Sequence, residues 1–354
     1  MAYTAIDDPE AYFQVEIYTG NEGTQSVTFD GTTNMQPDLI WIKSRTNAAS
    51  HVLTDAARGV NSQLYAEGNW AAGTYTNMVT AFGSDGFTMG LNASVNGAHN
   101  YVAWCWKGGT TSGIDTTNTT ITPDAYSFNA TSGVSIIKYD GNGTSGAKVA
   151  HGLGAIPEVV ITKTVGSANS WAVYHHKMSS APETDYMFLD TTVAPADDAG
   201  YWNDTTPTQY NVVLGGTGNT NGTGGDNPIV GYCFASKQGF SNFGVYTGNG
   251  DADGAYIHLG FRPAMVITKE ITGTQGWSII DNKRSPFNPT DGTLHPNASA
   301  VEDTGSDFFV DLLANGFKIR QTDAAFNGDG KNYIYCAWAE APIVNSEGVP
   351  GNAR

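Results

Sequence analysis

PAMVITK, residues 263–269, is a short apolar run that ends in a lysine, and the chain contains this pattern three times. The other two copies read PDLIWIK at 37–43 and PEVVITK at 157–163. Apolar runs of this length, bounded by proline, glycine and polar residues, are typical of β-strands. No longer window around them carries a sustained helical stripe. The pattern therefore predicts a β-strand that recurs in three copies of one module.

Two other landmarks recur in the same order, and at similar distances from this strand, in every copy. A Tyr-x-Gly-Asn turn precedes the strand, and an aromatic strand closes the copy. The turns are Tyr18–Asn21, Tyr139–Asn142 and Tyr246–Asn249, and the closing strands read YVAWCW (101–106), IVGYCF (229–234) and YIYCAW (333–338). Glycine and asparagine suit the left-handed backbone that tight turns need. The shared order and spacing indicate tandem duplication of one module.

The repeats divide the chain into three modules and two connecting segments. Module 1 spans 1–109, module 2 spans 133–239, module 3 spans 240–342, a Thr/Asn-rich linker covers 110–132, and a mobile tail covers 343–354. About 100 residues of short strands and frequent turns predict an all-β fold of three tandem β-sandwich, jelly-roll-like domains. We expect these domains to stand in series. Helical turns are expected only near Thr54–Arg58 and Asp307–Ala314.

Composition and charge narrow the classes of function. The chain of 354 residues carries a formal net charge of −17. A nucleic-acid binder needs a basic patch that releases counterions, and an anionic membrane surface would repel this chain. No apolar run approaches the length of a membrane span, and the start lacks the features of a signal peptide. We therefore expect synthesis in a cytoplasm, no nucleic-acid partner and no membrane insertion.

The loop VYTGNGDADG, residues 245–254, is the first candidate for a ligand site. Its glycine spacing and the strand that follows it do not fit a dinucleotide-binding turn. Asn249, Asp251 and Asp253 offer the hard oxygen ligands that suit calcium. The other copies lack this pair of carboxylates, and the glutamate that ends an EF-hand loop is missing. A solvated turn is therefore favoured, calcium is the alternative, and no cofactor is expected.

An Asp-x-x-Arg pair stands at equivalent places in modules 1 and 3. The pairs are Asp55 with Arg58 and Asp281 with Arg284. This spacing lets the aspartate cap a turn while the arginine folds back as an ion pair. The alternative is a polar pocket in which the arginine binds a glycan or a carboxylate. The structural interpretation is favoured, and the four residues stay candidates for a contact surface.

Two of the eight tryptophans lie outside the predicted strands. Trp70 and Trp202 stand in segments rich in glycine, asparagine and threonine, whereas most of the others belong to strands or occupy equivalent repeat positions. An exposed aromatic ring beside amide and hydroxyl groups suits sugar binding or protein contact. Both residues are therefore candidates for a contact surface, with burial in a core as the alternative.

Taken in order, the motifs resemble a family of phage-encoded virion proteins found in marine tailed phages and prophages. The first module carries IDDP, YTGN, QPDLIWIKSR, GFTMG and YVAWCWKGG. The others carry GVSIIKYDGNG, HGLGAIPEVVITK, FGVYTGNGDADG, GFRPAMVITK and WSIIDNKRSPFN. The resemblance covers nearly the whole chain. Members are described as tail-fibre-like structural proteins, and the family supplies no catalytic residues to transfer.

The resemblance implies a virion structural protein that is made in the host cytoplasm and is not an enzyme. We expect it to form part of a tail fibre or of a capsid or tail decoration, and to aid attachment to the host surface. A purely architectural role is the first alternative. A polysaccharide depolymerase is the second, because plentiful carboxylates leave a glycosidase pair open, although no hydrolase motif is present.

The expected partners are other virion proteins and a host cell-surface glycan. Because tail appendages are commonly trimeric, a homo-oligomer, most simply a trimer, is the expected assembly. Module 1 is the expected virion anchor, since it leads the chain and differs most from the other two copies.

Overall fold

Strands dominate the computed structural model, which describes residues 2–305 and 309–351. The prediction of an all-β fold with sandwich-type packing of antiparallel sheets is confirmed. The helices there are single turns: α1 Ala93–Asn96, α2 Ala199–Trp202, α3 Gly218–Asn221, and the 3₁₀ turns Pro9–Ala11 and Gly224–Asp226. Within these ranges no helix is long and apolar enough to cross a membrane.

Module 1 pairs a six-stranded sheet with a three-stranded sheet. Its strands are β1 Phe13–Thr19, β2 Gln25–Thr28, β3 Leu39–Ser44, β4 Val52–Asp55, β5 Ser62–Tyr65, β6 Gly73–Thr74, β7 Val79–Gly83, β8 Gly86–Met89 and β9 Asn100–Trp106. The larger sheet has the order β1-β9-β3-β4-β5-β6 and the smaller one β2-β8-β7. An apolar core that includes Ile40, Phe87 and Met89 fills the space between the two sheets.

Module 2 and the linker together build a seven-stranded sheet and a two-stranded sheet. The strands are β10 Ala125–Asn129, β11 Val134–Tyr139, β12 Ala147–Ala150, β13 Val159–Thr164, β14 Ala172–His175, β15 Asp185–Phe188, β16 Ala196–Asp197, β17 Asn211–Leu214 and β18 Ile229–Phe234. Their orders are β10-β11-β18-β13-β14-β15-β16 and β12-β17.

Module 3 repeats the plan with a four-stranded sheet and a three-stranded sheet. The strands are β19 Ser241–Thr247, β20 Tyr256–His258, β21 Phe261–Glu270, β22 Trp277–Asp281, β23 Val310–Leu313, β24 Gly316–Ile319 and β25 Asn332–Pro342. Their orders are β19-β25-β21-β22 and β20-β24-β23. In all three modules the closing strand, β9, β18 or β25, lies inside the larger sheet beside the repeated strand, β3, β13 or β21.

The linker is built into module 2 and does not lie free between two modules. Its strand β10 pairs with β11 over its whole length. Ile121, also in the linker, is buried and forms a β-bridge with Val149. The polar composition of the segment hid this pairing, because an edge strand needs few apolar residues.

The described part of the tail, 343–351, is docked on the body and is not a free extension. The backbone N–H of Ile343 donates to the Gly260 carbonyl. The backbone N–H of Ser346 donates to the carboxylate of Asp7 at 2.6 Å, so the two ends of the chain meet. The prediction of a mobile tail is therefore corrected for residues 343–351, which these hydrogen bonds hold against the body.

The expected helical turns are replaced by strands and a tight turn. Thr54 and Asp55 end β4, and the chain then turns, with the Arg58 N–H donating to the Asp55 carboxylate at 2.9 Å. Of the segment 307–314, Asp307 and Phe308 lie outside the described residues, and Val310–Leu313 is β23. Pairing with β24 overrides the helix-like spacing of this segment.

The three larger sheets meet at an apolar centre. Trp106, Phe234 and Trp338 are equivalent residues of the closing strands, and their rings form a triangle. Trp106 and Trp338 have ring centroids 5.3 Å apart, Phe234 and Trp338 are 5.5 Å apart, and Trp106 and Phe234 are 6.3 Å apart. Because equivalent residues touch pairwise, the modules are arranged like three subunits around a threefold axis. The expected series of separate domains is corrected to one body with a shared core.

A cavity of about 30 Å³ lies at this centre. Trp41, Ile161 and Ile267, which are equivalent residues of the repeated strands, line it together with the aromatic triangle. Because the lining is apolar, the cavity does not suit water or a polar ligand. The centre of the molecule is therefore a packing contact between modules.

The Tyr-x-Gly-Asn turn of every module is held by a buried asparagine. The side-chain oxygens of Asn96, Asn221 and Asn327 accept the backbone N–H of Asn21, Asn142 and Asn249 at 2.9, 2.8 and 3.1 Å. The residue after each of these turn asparagines has a left-handed φ, between 57° and 68°. The repeated glycine itself has an ordinary φ and is required for a different reason. A Cβ on Gly20, Gly141 or Gly248 would overlap the backbone beside the buried asparagine.

Gly248→Ala is expected to lower the free energy of unfolding by about 1–3 kcal/mol, because the added methyl meets the carbonyl oxygen of Gly328. Urea denaturation measures the change. Gly225→Ala is the matched control, since nothing lies within 4 Å of the position where its Cβ would be built. Equal effects of the two substitutions would contradict the close approach at the turn.

Candidate functional site

The first Asp-x-x-Arg pair is buried between modules 1 and 2. The Arg58 Nε donates to the Asp55 carboxylate at 2.6 Å, and the two side chains are 1% and 0% exposed. The Tyr232 hydroxyl of module 2 donates to the same carboxylate at 2.7 Å. Burial opposes the charged guanidinium, but Asp55 raises the pKa of Arg58 above its usual value. The pair joins two modules in the interior and does not lie on a contact surface.

The second pair occupies the equivalent interface between modules 3 and 1. Arg284 and Asp281 are both 0% exposed in their side chains, with Nε and Oδ2 2.5 Å apart. Glu302 accepts a second guanidinium N–H at 2.7 Å. The indole N–H of Trp104, from module 1, donates to Asp281 at 3.0 Å, and Arg284 lies over the Trp104 ring at 5.6 Å. This network is also internal, so neither pair offers a pocket for a glycan.

His175 takes the equivalent place in module 2. Its Nε2 lies 3.2 Å from the backbone carbonyl oxygen of Tyr335 in module 3. Burial and the neighbouring His176 lower the pKa of His175 to about 3, so the ring is neutral. The three contacts run from module 1 to 2, from 2 to 3 and from 3 to 1. A head-to-tail contact that closes after three steps makes a ring.

Two equivalent indole hydrogen bonds also join neighbouring modules. The indole N–H of Trp171 donates to the Tyr65 carbonyl of module 1 at 2.9 Å. The indole N–H of Trp277 donates to the Phe188 carbonyl of module 2 at 2.9 Å. Each bond runs from the later module to the earlier one, so the two pairs of modules pack in the same relative orientation.

The lysine that ends each repeated motif is fully buried, and in modules 2 and 3 it bonds to the preceding module. The ammonium of Lys163 donates to the Asn69 carbonyl of module 1, and that of Lys269 to the Thr192 carbonyl of module 2. Burial lowers the pKa of Lys163 and Lys269, and of the equivalent Lys43, to about 8. The repeated lysine is thus an interface residue, which the sequence alone did not indicate.

The loop proposed for calcium uses its oxygens within the chain. The Asp253 carboxylate pairs with Lys318 at 2.7 Å. Asp251 accepts the Asp253 N–H at 2.9 Å, and Asn249 accepts the Asp251 N–H at 3.0 Å. A cation would compete with the ammonium group of Lys318. Across residues 2–305 and 309–351, no group of three or more His, Cys, Asp or Glu side chains is placed to hold a metal.

The two candidate tryptophans have opposite environments. Trp202 lies in α2, is 1% exposed and packs edge-to-face against Tyr174 at 6.0 Å. Its prediction as a contact residue is therefore wrong, because the helical turn Ala199–Trp202 is apolar and places the indole in the core. Trp70 is 53% exposed. It is the one candidate of the sequence analysis whose side chain lies at the surface as a large apolar group.

A buried carboxyl gives the stability of the protein a testable pH dependence. Glu16 is 8% exposed, and burial together with Asp30 raises its pKa to about 7. Because this folded pKa lies above the value of about 4.5 in an unfolded chain, the side chain stabilises the fold below pH 4.5. That contribution is lost as the pH rises through 7.

Glu16→Gln is therefore expected to raise the free energy of unfolding by about 2 kcal/mol at pH 8 and to leave it almost unchanged at pH 4. The amide keeps an oxygen for the Asp30 N–H, which Glu16 accepts at 3.2 Å. Denaturant unfolding of both proteins at the two pH values measures the difference. A stabilisation of the same size at both values would contradict the raised pKa.

The fold and the ring of contacts define an all-β repeat protein whose modules close around an apolar centre. The chain belongs to the domain family of unknown function DUF7483, which it matches over residues 8–342. The match includes all three modules, so the family describes the whole ring. Comparison with curated proteins and with solved structures found no match.

Proposed function

We propose that the chain is a structural component of a phage virion, part of a tail fibre or of a capsid or tail decoration, that aids attachment to the host. The motif resemblance supports this role. The observation that carries it is that buried ion pairs hold neighbouring modules together. Asp55, Arg58, Asp281 and Arg284 are buried in contacts between modules, so none of these four side chains is exposed to a ligand.

The arrangement of contacts between modules also suits a structural component that bears mechanical load. Each module is tied to both neighbours, so a force applied to one module is shared by the ring. The net charge of −17 keeps a protein soluble when many copies are crowded on a particle. Many copies on one particle convert weak surface contacts into strong attachment.

Purified particles of the phage or induced prophage that encodes the chain provide the test. We expect mass spectrometry to find the protein in particles after density-gradient purification, and gold-labelled antibody to mark the tail or the capsid surface. Expression in infected cells together with absence from purified particles would overturn the proposal.

The attachment role is tested separately from the location. Excess purified protein, or antibody against it, is expected to slow adsorption of particles to host cells. Labelled particles whose adsorption is unchanged by both reagents would instead indicate a purely architectural role. Shortening of host polysaccharide by the purified protein would favour a depolymerase. The predicted homotrimer is measured by light scattering of the purified chain.

A further inference from the structure

We propose that Trp70 is the stacking platform of a binding site for a neutral saccharide. The proposal rests on the attachment role proposed above and assigns its ligand class and its place on the molecule. Trp70 is 53% exposed, whereas the other seven tryptophans of the chain are at most 4% exposed. The fold thus buries every other indole and leaves this one at the surface.

The indole of Trp70 is held flat by its neighbours. Its six-membered ring covers Gly68 so closely that a Cβ on Gly68 would overlap it. The ring of Tyr65 supports it from the side, with centroids 6.1 Å apart and planes at 77°. A ring that is already fixed loses little conformational entropy when a ligand stacks on it.

A second aromatic residue extends the platform. Tyr75 is 36% exposed, and its ring covers Gly73 in the same manner as Trp70 covers Gly68. Burial, together with a side-chain hydrogen bond to Tyr75, raises the pKa of Tyr65 above its usual value. Tyr65 therefore adjoins both exposed residues, since its ring also packs against Trp70. Two glycines at these positions therefore allow two aromatic rings to lie on the backbone and face outward.

The segment that carries the two rings is uncharged and rich in polar residues. Between Glu67 and Asp85 the chain has no charged residue, although the whole protein carries a net charge of −17. Asn69, Thr74 and Thr76 are exposed beside the two rings. Glu67, the nearest carboxylate along the sequence, accepts the backbone N–H of His51 with one oxygen at 3.1 Å. Amide and hydroxyl groups around an apolar face match a pyranose, which has an apolar face and a rim of hydroxyl groups.

The net charge of the protein indicates which class of saccharide the site binds. An acidic polysaccharide would be repelled by a protein with a net charge of −17, and no lysine or arginine lies in the segment 68–84. The indole N–H of Trp70 has no acceptor within the described part of the chain, so it is available to a sugar hydroxyl. The site is therefore assigned to neutral sugars. A single platform of this kind binds weakly, with a Kd of roughly 1 mM, and gains strength from multiple copies.

The platform lies at the boundary of two modules. The carbonyl of Asn69, next to Trp70, accepts the buried ammonium of Lys163 from module 2. The Ala72 N–H donates to the Val165 carbonyl of the same module at 2.8 Å. Both ends of the four-residue segment 69–72, which carries Trp70, are thus anchored on module 2. The contact between modules 1 and 2 therefore holds this indole in a fixed position.

The distribution of tryptophans makes the test specific. Acrylamide quenches exposed indoles, so the readily quenched fraction of the fluorescence reports Trp70. An array of neutral and acidic bacterial surface polysaccharides identifies binders, and cellohexaose and chitohexaose serve as defined soluble neutral probes. We expect binding to at least one neutral saccharide on the array or in solution, with a twofold or greater reduction in quenching at saturation.

Three variants complete the experiment. Trp70→Ala is expected to lose at least tenfold in affinity while keeping the unfolding midpoint of the native chain. Tyr75→Ala is expected to weaken binding to a smaller extent. Phe287→Ala is the matched control, because Phe287 is an 82% exposed aromatic residue outside the platform, and its affinity is expected to be unchanged.

Absence of binding by every neutral saccharide, preference for acidic ones, or equal binding by Trp70→Ala would each overturn the assignment. These results come from purified protein and are independent of where the chain sits on a particle. A protein that is found in virions but binds no neutral saccharide would leave the virion role intact and remove this site. A protein that binds sugar through Trp70 but is absent from virions would keep this site and remove the virion role.

Discussion

Trp338→Ala is expected to lower the free energy of unfolding by about 3–5 kcal/mol. The ring of Trp338 lies within 5.3–5.8 Å of four other aromatic rings, measured between centroids, and these rings come from all three modules. They belong to Phe13, Trp106, Phe234 and Phe243. Removal of the indole would enlarge the central cavity in a region that closely packed sheets cannot collapse to fill.

Urea unfolding followed by circular dichroism measures this loss, and hydrogen exchange reports which modules are affected. Protection is expected to fall in all three modules, because they share the core around Trp338. A loss confined to module 3 would contradict the shared core. Trp338→Phe is the matched control. It is expected to cost much less, since module 2 already uses Phe234 at this position and the buried Trp338 N–H has no acceptor among the described residues.

Arg284→Met is expected to destabilise the chain by about 3–5 kcal/mol, because it leaves the buried Asp281 carboxylate without a cation and leaves Glu302 with Arg45 alone. Asp281 and Glu302 both lose a guanidinium partner, and their side chains are 0% and 7% exposed. Methionine keeps a similar length and apolar stem, so the change removes mainly the charge and the hydrogen bonds. The loss is expected in thermal and in urea unfolding at pH 7.

Arg320→Met is the matched control for Arg284→Met. The Arg320 side chain is 44% exposed, and its contacts with Asp253 and Asp311 are both 3.4 Å long. Exposed pairs of this kind contribute about 0–1 kcal/mol. Comparable losses of stability in the two variants would contradict the assignment of Arg284 to a stabilising buried ion pair. A second variant, Asp281→Asn, tests the same network from the other side and should also affect the hydrogen bond from Trp104.

Much of the local architecture follows from the repeated motifs. The strand pattern of PAMVITK and its copies predicted β21, β13 and β3, and the aromatic runs predicted β25, β18 and β9. Within such strands the alternation of side chains is a property of the backbone, so it can be read without knowledge of the partner. The helix-like spacing of the residues around Leu313 predicted a helical turn, and that prediction was wrong. Pairing with another strand outweighs a short local pattern.

The candidate residues show the limit of the same reasoning. The spacing of Asp281 and Arg284 predicted an ion pair on a turn, and that local geometry is present. The partner Trp104 is separated from Asp281 by 177 residues, so no local pattern could reveal it. The buried asparagines Asn96, Asn221 and Asn327 were overlooked, although an Asn-Gly pair before each closing strand was a usable signal.

The sequence by itself determined that this protein is a triplicated β-module, because strand periodicity, turn residues and repeat spacing are local properties of the chain. The tertiary structure alone decided that the modules close into a ring, that Trp202 is buried and that Trp70 is exposed. The physical reason is that burial depends on which apolar surfaces find each other. In this protein those surfaces belong to strands more than 100 residues apart, joined at the Trp106, Phe234 and Trp338 triangle.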